Sequence, residues 1–200
     1  MRPPHLDLPA PTTAAPATTD ALYRAMRGGD ECALESLFHA HYDGLCRFVL
    51  AYVREPDVAE ELVQDLFVRL WRDRERLQVR GSVRAYLYAA ARNAASNHMR
   101  HQRMKAFLSR QWLAAPGDAP VAAPPRTPEE ELISGEVGKA VRAAIEALPE
   151  RARLTATLRW QHQLSYAEIA EVMGITVKGV ENQLGRIART LRGALAALRV

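Results

Sequence analysis

The fifteen residues from Ala114 to Pro128, AAPGDAPVAAPPRTP, hold five prolines, one glycine and no apolar period. Proline offers no amide to a helix or ladder and pushes the residue before it out of the helical region. A stretch this dense reads as an extended linker. Whatever folds in this chain of 200 residues must therefore fold on either side of it, as two small domains.

Before the linker, apolar residues recur at steps of three and four. Leu34, Leu37, Phe38, His41, Tyr42, Leu45, Phe48, Val49, Tyr52 and Val53 mark one buried helix face. Glu55-Pro56-Asp57 breaks it, with Asp57 placed to cap the next helix. That helix carries Ala59, Leu62, Val63, Leu66, Phe67, Leu70 and Trp71 on one side. A third break falls at Val79-Arg80-Gly81-Ser82, where Ser82 is an N-cap candidate. Val83, Tyr86, Leu87, Ala90, Ala91 and Ala94 then predict a small-residue helix reaching about Met104. Residues 1–20, rich in Pro, Ala and Thr, read as a disordered tail without the apolar core of a secretory signal.

After the linker, Thr127-Pro128-Glu129-Glu130 is a strong helix start: Thr127 caps, Pro128 suits the first turn and Glu130 completes a capping box. Pro149 separates the helix ending near Leu148 from one running to about His162. Ser165 with Glu168 is a second capping box. It opens LSYAEIAEVMGITVKGVENQLGRIARTLR, two short amphipathic helices broken at Met173-Gly174-Ile175. No strand-like alternation occurs anywhere, so the expected fold class is all-α. The expected divisions are a tail 1–20, a first domain 21–110, a linker 111–128 and a second domain 129–200.

The two helices after Ser165 have the pattern of a helix-turn-helix, whose second helix enters the DNA major groove. Gly174 supplies a turn residue tolerant of positive φ. Ile169, Ala170, Val172, Met173, Ile175, Val180 and Leu184 pack the pair, and Thr176 caps the second helix, where it can also meet a phosphate. Lys178, Glu181, Asn182 and Arg186 share one outward side, while Gln183 lies about 100° round from Asn182. Arg186 suits guanine and Asn182 or Gln183 suits adenine, whereas Arg189 and Arg192 read as phosphate anchors.

The first domain carries two opposite charges. Asp57, Glu60, Glu61, Gln64 and Asp65 cluster early on one helix, with almost no counter-charge until Arg69. The helix dipole accounts for acids in the first turn but not for Gln64 and Asp65. The cluster would repel DNA and suits a basic protein partner. From Arg69 to Arg110 the sign reverses, with only Asp73 and Glu75 opposing a run of arginines. Tyr86, Tyr88, Asn93, Asn97 and His98 lie among them, a set that fits single-stranded nucleic acid, although at least one tyrosine belongs to the core.

Composition excludes other classes. The net charge of +4 is mild, so the partners are set by local patches. No stretch approaches the about 18 apolar residues of a membrane span. Cys32 and Cys46 form no ligand or disulfide pattern, and reduced thiols point to the cytoplasm. There is no P-loop, dinucleotide fingerprint or nucleophile elbow, and His98-x-x-His101 lacks a third ligand, so neither an enzyme, a metal nor a cofactor is expected.

PDVAEELVQDLFVRLW, VRAYLYAAARNAASNHMR and ALPERARLTATLRWQHQLSYAEIAEVMGITVKGVENQLGRIARTLR occur in that order around the linker. Together they resemble regions 2.2, 2.3–2.4 and 4 of the extracytoplasmic-function (ECF) sigma factors, of the sigma-70 family. The resemblance covers roughly Ala33 to Arg192 and implies an alternative sigma factor with no catalytic chemistry of its own. It implies docking of Asp57, Glu60, Glu61, Gln64, Asp65 and Phe67 on the β′ clamp helices of core RNA polymerase, with the β flap as a further contact. It assigns Arg80, Gly81, Ser82, Arg84, Tyr86 and Asn93 to an unstacked −10 base, flanked by Asn97, Arg100 and Arg103. It assigns Ser165, Tyr166, Thr176, Lys178, Glu181, Asn182, Gln183, Arg186 and Arg189 to duplex −35 DNA. An anti-sigma factor is a further implied partner.

The rival reading is a two-helix transcriptional regulator that binds duplex operator DNA without polymerase. It leaves the acidic helix unexplained. Gly179 and Gly185 each lower the recognition helix's intrinsic stability by about 1 kcal/mol relative to Ala, so order there is expected only on packing or binding.

Overall fold

The computed structural model describes residues 18–112, 141 and 143–196, and every regular element among them is helical. In order they are α1 (Thr19–Arg27), α2 (Glu31–Val53), α3 (Pro56–Arg72), α4 (Val83–Trp112), α5 (Glu150–Trp160), α6 (Tyr166–Met173) and α7 (Val177–Ala196). Most of the tail, the linker from residue 113 onward and the Thr127–Glu130 capping box lie outside the described residues.

The first four helices form one bundle around Leu37, Leu45, Phe48, Val49, Val63 and Leu87, all fully buried. Three of the four helices start on a side-chain cap. Thr18 accepts from the Ala21 amide at 3.3 Å, and Asp30 from Ala33 at 3.1 Å. α4 is capped twice: Ser82 Oγ accepts from Ala85 at 3.3 Å and Asp20, on α1, accepts from Val83 at 3.2 Å. Tyr23 donates to the Leu77 carbonyl at 3.0 Å, which ties α1 to the loop before α4.

Two sequence expectations need correction. Asp57 does not cap α3: the helix begins one residue earlier, at Pro56, with Glu55 extended before it and no side-chain cap. Proline at the first position lacks an amide of its own and has its φ already fixed near the helical value, which favours a start there. α2 ends instead by turning Arg54 left-handed at φ 62°. α4 runs past Met104 to Trp112, because residues after the apolar period still favour helix and nothing before the linker stops them.

The second bundle packs α5, α6 and α7 around Leu158, Leu164, Ile169, Val172, Val180 and Ile187. Both sides of the Ser165–Glu168 capping box are formed, Gly174 ends α6 at φ 64°, and Thr176 Oγ1 accepts from the Gly179 amide at 3.1 Å. α7 is continuous through both of its early glycines because Val180, Leu184 and Ile187 are held against its neighbours. α6 lies on α4, so the two bundles touch.

Candidate nucleic-acid and docking interfaces

The acidic helix presents what its spacing promised. Asp57, Glu60, Glu61, Gln64 and Asp65 are all exposed on α3. Phe67, assigned to the same surface, is instead buried at 4% exposure, with its ring centroid 5.0 Å from that of Phe38. It supports the helix from below. The exposed apolar residue is its neighbour Val68, at 62%. It lies three positions after Asp65 and so on the acidic side. The apolar stripe of α3 includes Phe67 and leaves Val68 as the outward residue.

Along α4 the polar candidates separate by depth. Asn93, Asn97, Arg100 and Arg103 are exposed, with Arg100 donating to Asn97 at 2.6 Å. Tyr88 is the core tyrosine, 4% exposed, and Tyr86 is half-buried. Tyr86 lines a cleft of about 360 Å³ with Gln78, Val79, Arg80, Ala85, Ala89 and Glu171. The cleft therefore joins the loop residue Arg80 and the aromatic Tyr86 to a carboxylate from the other bundle.

On α7, Lys178, Glu181, Asn182, Arg186 and Arg189 are exposed, and Gln183 is half-buried, as a residue rotated off the outer face must be. Lys178 and Glu181 pair at 2.9 Å, an exposed contact of little energetic weight. Thr176 and Ser165 are exposed at the two helix starts, each engaged as a cap. Tyr166 is 39% exposed, with the Arg159 guanidinium 5.3 Å from its ring centroid.

Sequence reasoning missed the junction between the bundles. Ser82 donates to Glu168 Oε1 at 2.8 Å, Tyr88 Oη lies 3.1 Å from His162 Nδ1, and Arg84 donates to the His162 carbonyl. A Cβ on Gly81, at φ +94°, would come within 2.6 Å of a Glu171 carboxylate oxygen. His162 is 6% exposed, its ring also edge-on to Phe48 at 5.7 Å, and its Nε2 is buried without a partner. Burial, with the charges of Arg47 and Arg84, pushes its imidazole down to about 4. Burial acts to raise the Glu168 carboxyl, but hydrogen bonds from Ser165 and Ser82 and the charge of Arg84 hold it below its ordinary range. No local signal announces such contacts, because their partners stand 74 to 86 positions away. Among the described residues no group of three metal-binding side chains occurs, and no helix is long and apolar enough to cross a membrane.

Known proteins carry the same two blocks. The Sigma-70 region 2 model matches residues 37–104 and the Sigma-70, region 4 model matches residues 138–191. The chain is 27% identical over 193 residues to the ECF RNA polymerase sigma-E factor of Haemophilus influenzae, covering 90% of this chain and 97% of that protein. It is 24% identical over 181 residues to the ECF RNA polymerase sigma factor SigW of Bacillus subtilis, covering 88% and 95%. Its fold is similar to that of CnrH, solved with the cytosolic domain of CnrY, at a TM-score of 0.60 and 20% identity over 88% of this chain and 96% of that one. It is also similar to RpoE of Bartonella quintana, solved with the anti-sigma factor NepR, at a TM-score of 0.55 and 19% identity over 81% and 96%.

Proposed function

The chain belongs to the sigma-70 family, and from that premise we propose that it works as an ECF-class alternative sigma factor, binding core RNA polymerase and directing initiation at promoters it selects. Sigma factors are regulatory subunits rather than enzymes, so the residues act by binding and positioning. The cytoplasm, where polymerase works, is the compartment this role requires.

The observation that carries this reading is the pairing of an exposed acidic helix with two separate DNA-suited surfaces. Asp57, Glu60, Glu61, Gln64 and Asp65 dock on the β′ clamp helices, with Val68 as the apolar contact among them and Phe67 as the support beneath. Charge complementarity there sets encounter and register. The loop Arg80–Ser82 with Arg84, Tyr86 and Asn93 receives a −10 base drawn from the stack, and Asn97, Arg100 and Arg103 follow the strand. Extruding a base costs a few kcal/mol, which stacking and edge contacts offset. α7, with Asn182 and Arg186 foremost, reads the −35 duplex while Ser165, Tyr166, Thr176 and Arg189 meet its backbone.

Domains at 21–110 and 129–200, joined by a proline-rich tether, hold two weak readers at high mutual effective concentration once polymerase is engaged. The β flap is the contact for the second domain, and an anti-sigma factor is a further partner, by analogy with the Bartonella quintana structure. Run-off transcription with purified core polymerase, on promoters selected from a randomised pool, tests the proposal. Promoter-specific transcripts that depend on the added chain are expected. Tight duplex binding without any polymerase-dependent transcript would favour the operator-binding regulator instead.

A further inference from the structure

Along α7 the charged residues are Lys178, Glu181, Arg186, Arg189 and Arg192, so Glu181 is the lone acid of the helix. The helix dipole favours carboxylates in the first turn, where α7 has none. A carboxylate on a surface that meets a polyanion repels it, whatever the sequence. Any benefit that Glu181 brings therefore lies in the choice between sequences.

Its partner is Lys178. The lysine Nζ donates to Glu181 Oε2 at 2.9 Å, and the two side chains are 77% and 43% exposed. The ammonium keeps further N–H donors, and Oε1 accepts no bond among the described residues. The pair thus presents a free donor beside a free acceptor. Gly185, one turn further along the same stripe, has no side chain, and a Cβ there would meet nothing within 4 Å. A base edge can approach the carboxylate from that side. In the major groove a C·G pair offers the matching edge: cytosine N4 donates, and guanine O6 and N7 accept. N4 and O6 are themselves hydrogen-bonded at about 2.9 Å, the spacing at which the ammonium and carboxylate are held.

We infer that Lys178 and Glu181 act as one unit that reads a single C·G base pair, Glu181 accepting from cytosine N4 and Lys178 donating to guanine O6 and N7. This rests on the reading of α7 as the −35 helix. The ion pair does not have to break, because both base contacts use the free donors and the free oxygen. It already holds the two side chains together, which lowers the cost of ordering them on DNA. The unit also has a direction. Against G·C or T·A the carboxylate faces keto oxygens, and a desolvated charge left without a donor costs more than a missing neutral bond. Against A·T it meets the N7 acceptor beside the amine, while the ammonium meets one acceptor and a methyl group. C·G alone satisfies both ends.

The test selects duplexes from a pool randomised across the −35 element, using the full-length chain in reconstituted holoenzyme. It is repeated with Glu181→Gln, Lys178→Ala and Arg186→Ala, each at an exposed position where the fold does not depend on the side chain. The unsubstituted chain is expected to favour C·G at one position by about tenfold. Glu181→Gln is expected to move that position toward A·T, because an amide bonds adenine N6 and N7 together. Lys178→Ala is expected to relax the same position several-fold and leave the others as they were. Unchanged preferences in Glu181→Gln overturn the inference. So does a Lys178→Ala variant that weakens all sequences alike with a shallower salt dependence, the signature of a phosphate anchor. Arg186→Ala separates the two readings. If it too changes no position, α7 is not the −35 reader; if it relaxes its own position while the Lys178 and Glu181 variants relax none, the −35 reading stands and the paired reader falls.

Discussion

Ser82 Oγ donates to Glu168 Oε1 at 2.8 Å across 86 positions of sequence, and each of the two side chains is also part of a helix cap. Ser82 accepts from the Ala85 amide at the start of α4, and Glu168 receives the Ser165 amide at 2.8 Å at the start of α6. The start of α4 is thereby fastened to the start of α6. Neither cap needs the other for its own helix, so the fastening belongs to the relation between domains.

That relation is expected to depend on pH. His162 faces Arg47 from α2 and Arg84 and Tyr88 from α4, and burial with those charges puts its pKa at about 4, against an ordinary 6.5 when the domains part. The closed form keeps its full stability above about 6.5. As pH falls toward 4, the open form takes up a proton that the closed form refuses, so closure weakens through that window. Glu168 acts in the same direction. Its closed-state pKa is lowered, so its contribution is present above its ordinary 4.5 and is lost as pH falls further. Solution scattering across a pH series is expected to show expansion on acidification with helix content retained, and His162→Gln to flatten the part of the transition above pH 4.5.

Reversing one charge on the acidic face should cost recruitment. Asp65→Arg places a cation on an exposed helix expected to meet a basic partner, so transcription with core enzyme is expected to fall about tenfold or more, chiefly through slower association. Duplex affinity of the free chain should not change. Gln64→Ala should act more weakly, losing a neutral contact without adding repulsion.

On α7, loss of Arg186 or Asn182 should relax sequence preference. Each bidentate contact to a base edge carries about 1–3 kcal/mol of discrimination, so Arg186→Ala is expected to reduce −35 selectivity about 5- to 150-fold. Competition between matched and mismatched duplexes reads this directly. Binding to core polymerase should be unaltered by the same substitution.

Gly185→Ala should stabilise the second domain by up to about 1 kcal/mol, measured by chemical unfolding. A methyl group there meets no atom within 4 Å, and α7 is helical on both sides of the position. A destabilised Gly185→Ala variant would contradict the open surroundings of this position.

The local grammar of this protein is legible in its residues one after another. Apolar spacing gave the buried faces of α2, α3 and α6, Ser165–Glu168 and Thr176 marked two helix starts, and Gly174 marked the turn between them, because each of these signals acts within a few residues of itself. The acidic face of α3 and the outward face of α7 follow from the same periodicity. Asp57 shows where that reading slips, since Pro56 starts α3 without a side-chain cap; Phe67 lies inside as its apolar spacing implies, and only the family resemblance set it on the docking surface. Tertiary structure alone decided the fate of His162, Glu168 and Glu171. In sequence they are the end of a helix, half of a capping box and an acidic surface residue. Their roles come from Ser82, Tyr88 and Gly81, and pairings across so long a separation are set by how whole bundles pack, which leaves no period or spacing in the chain.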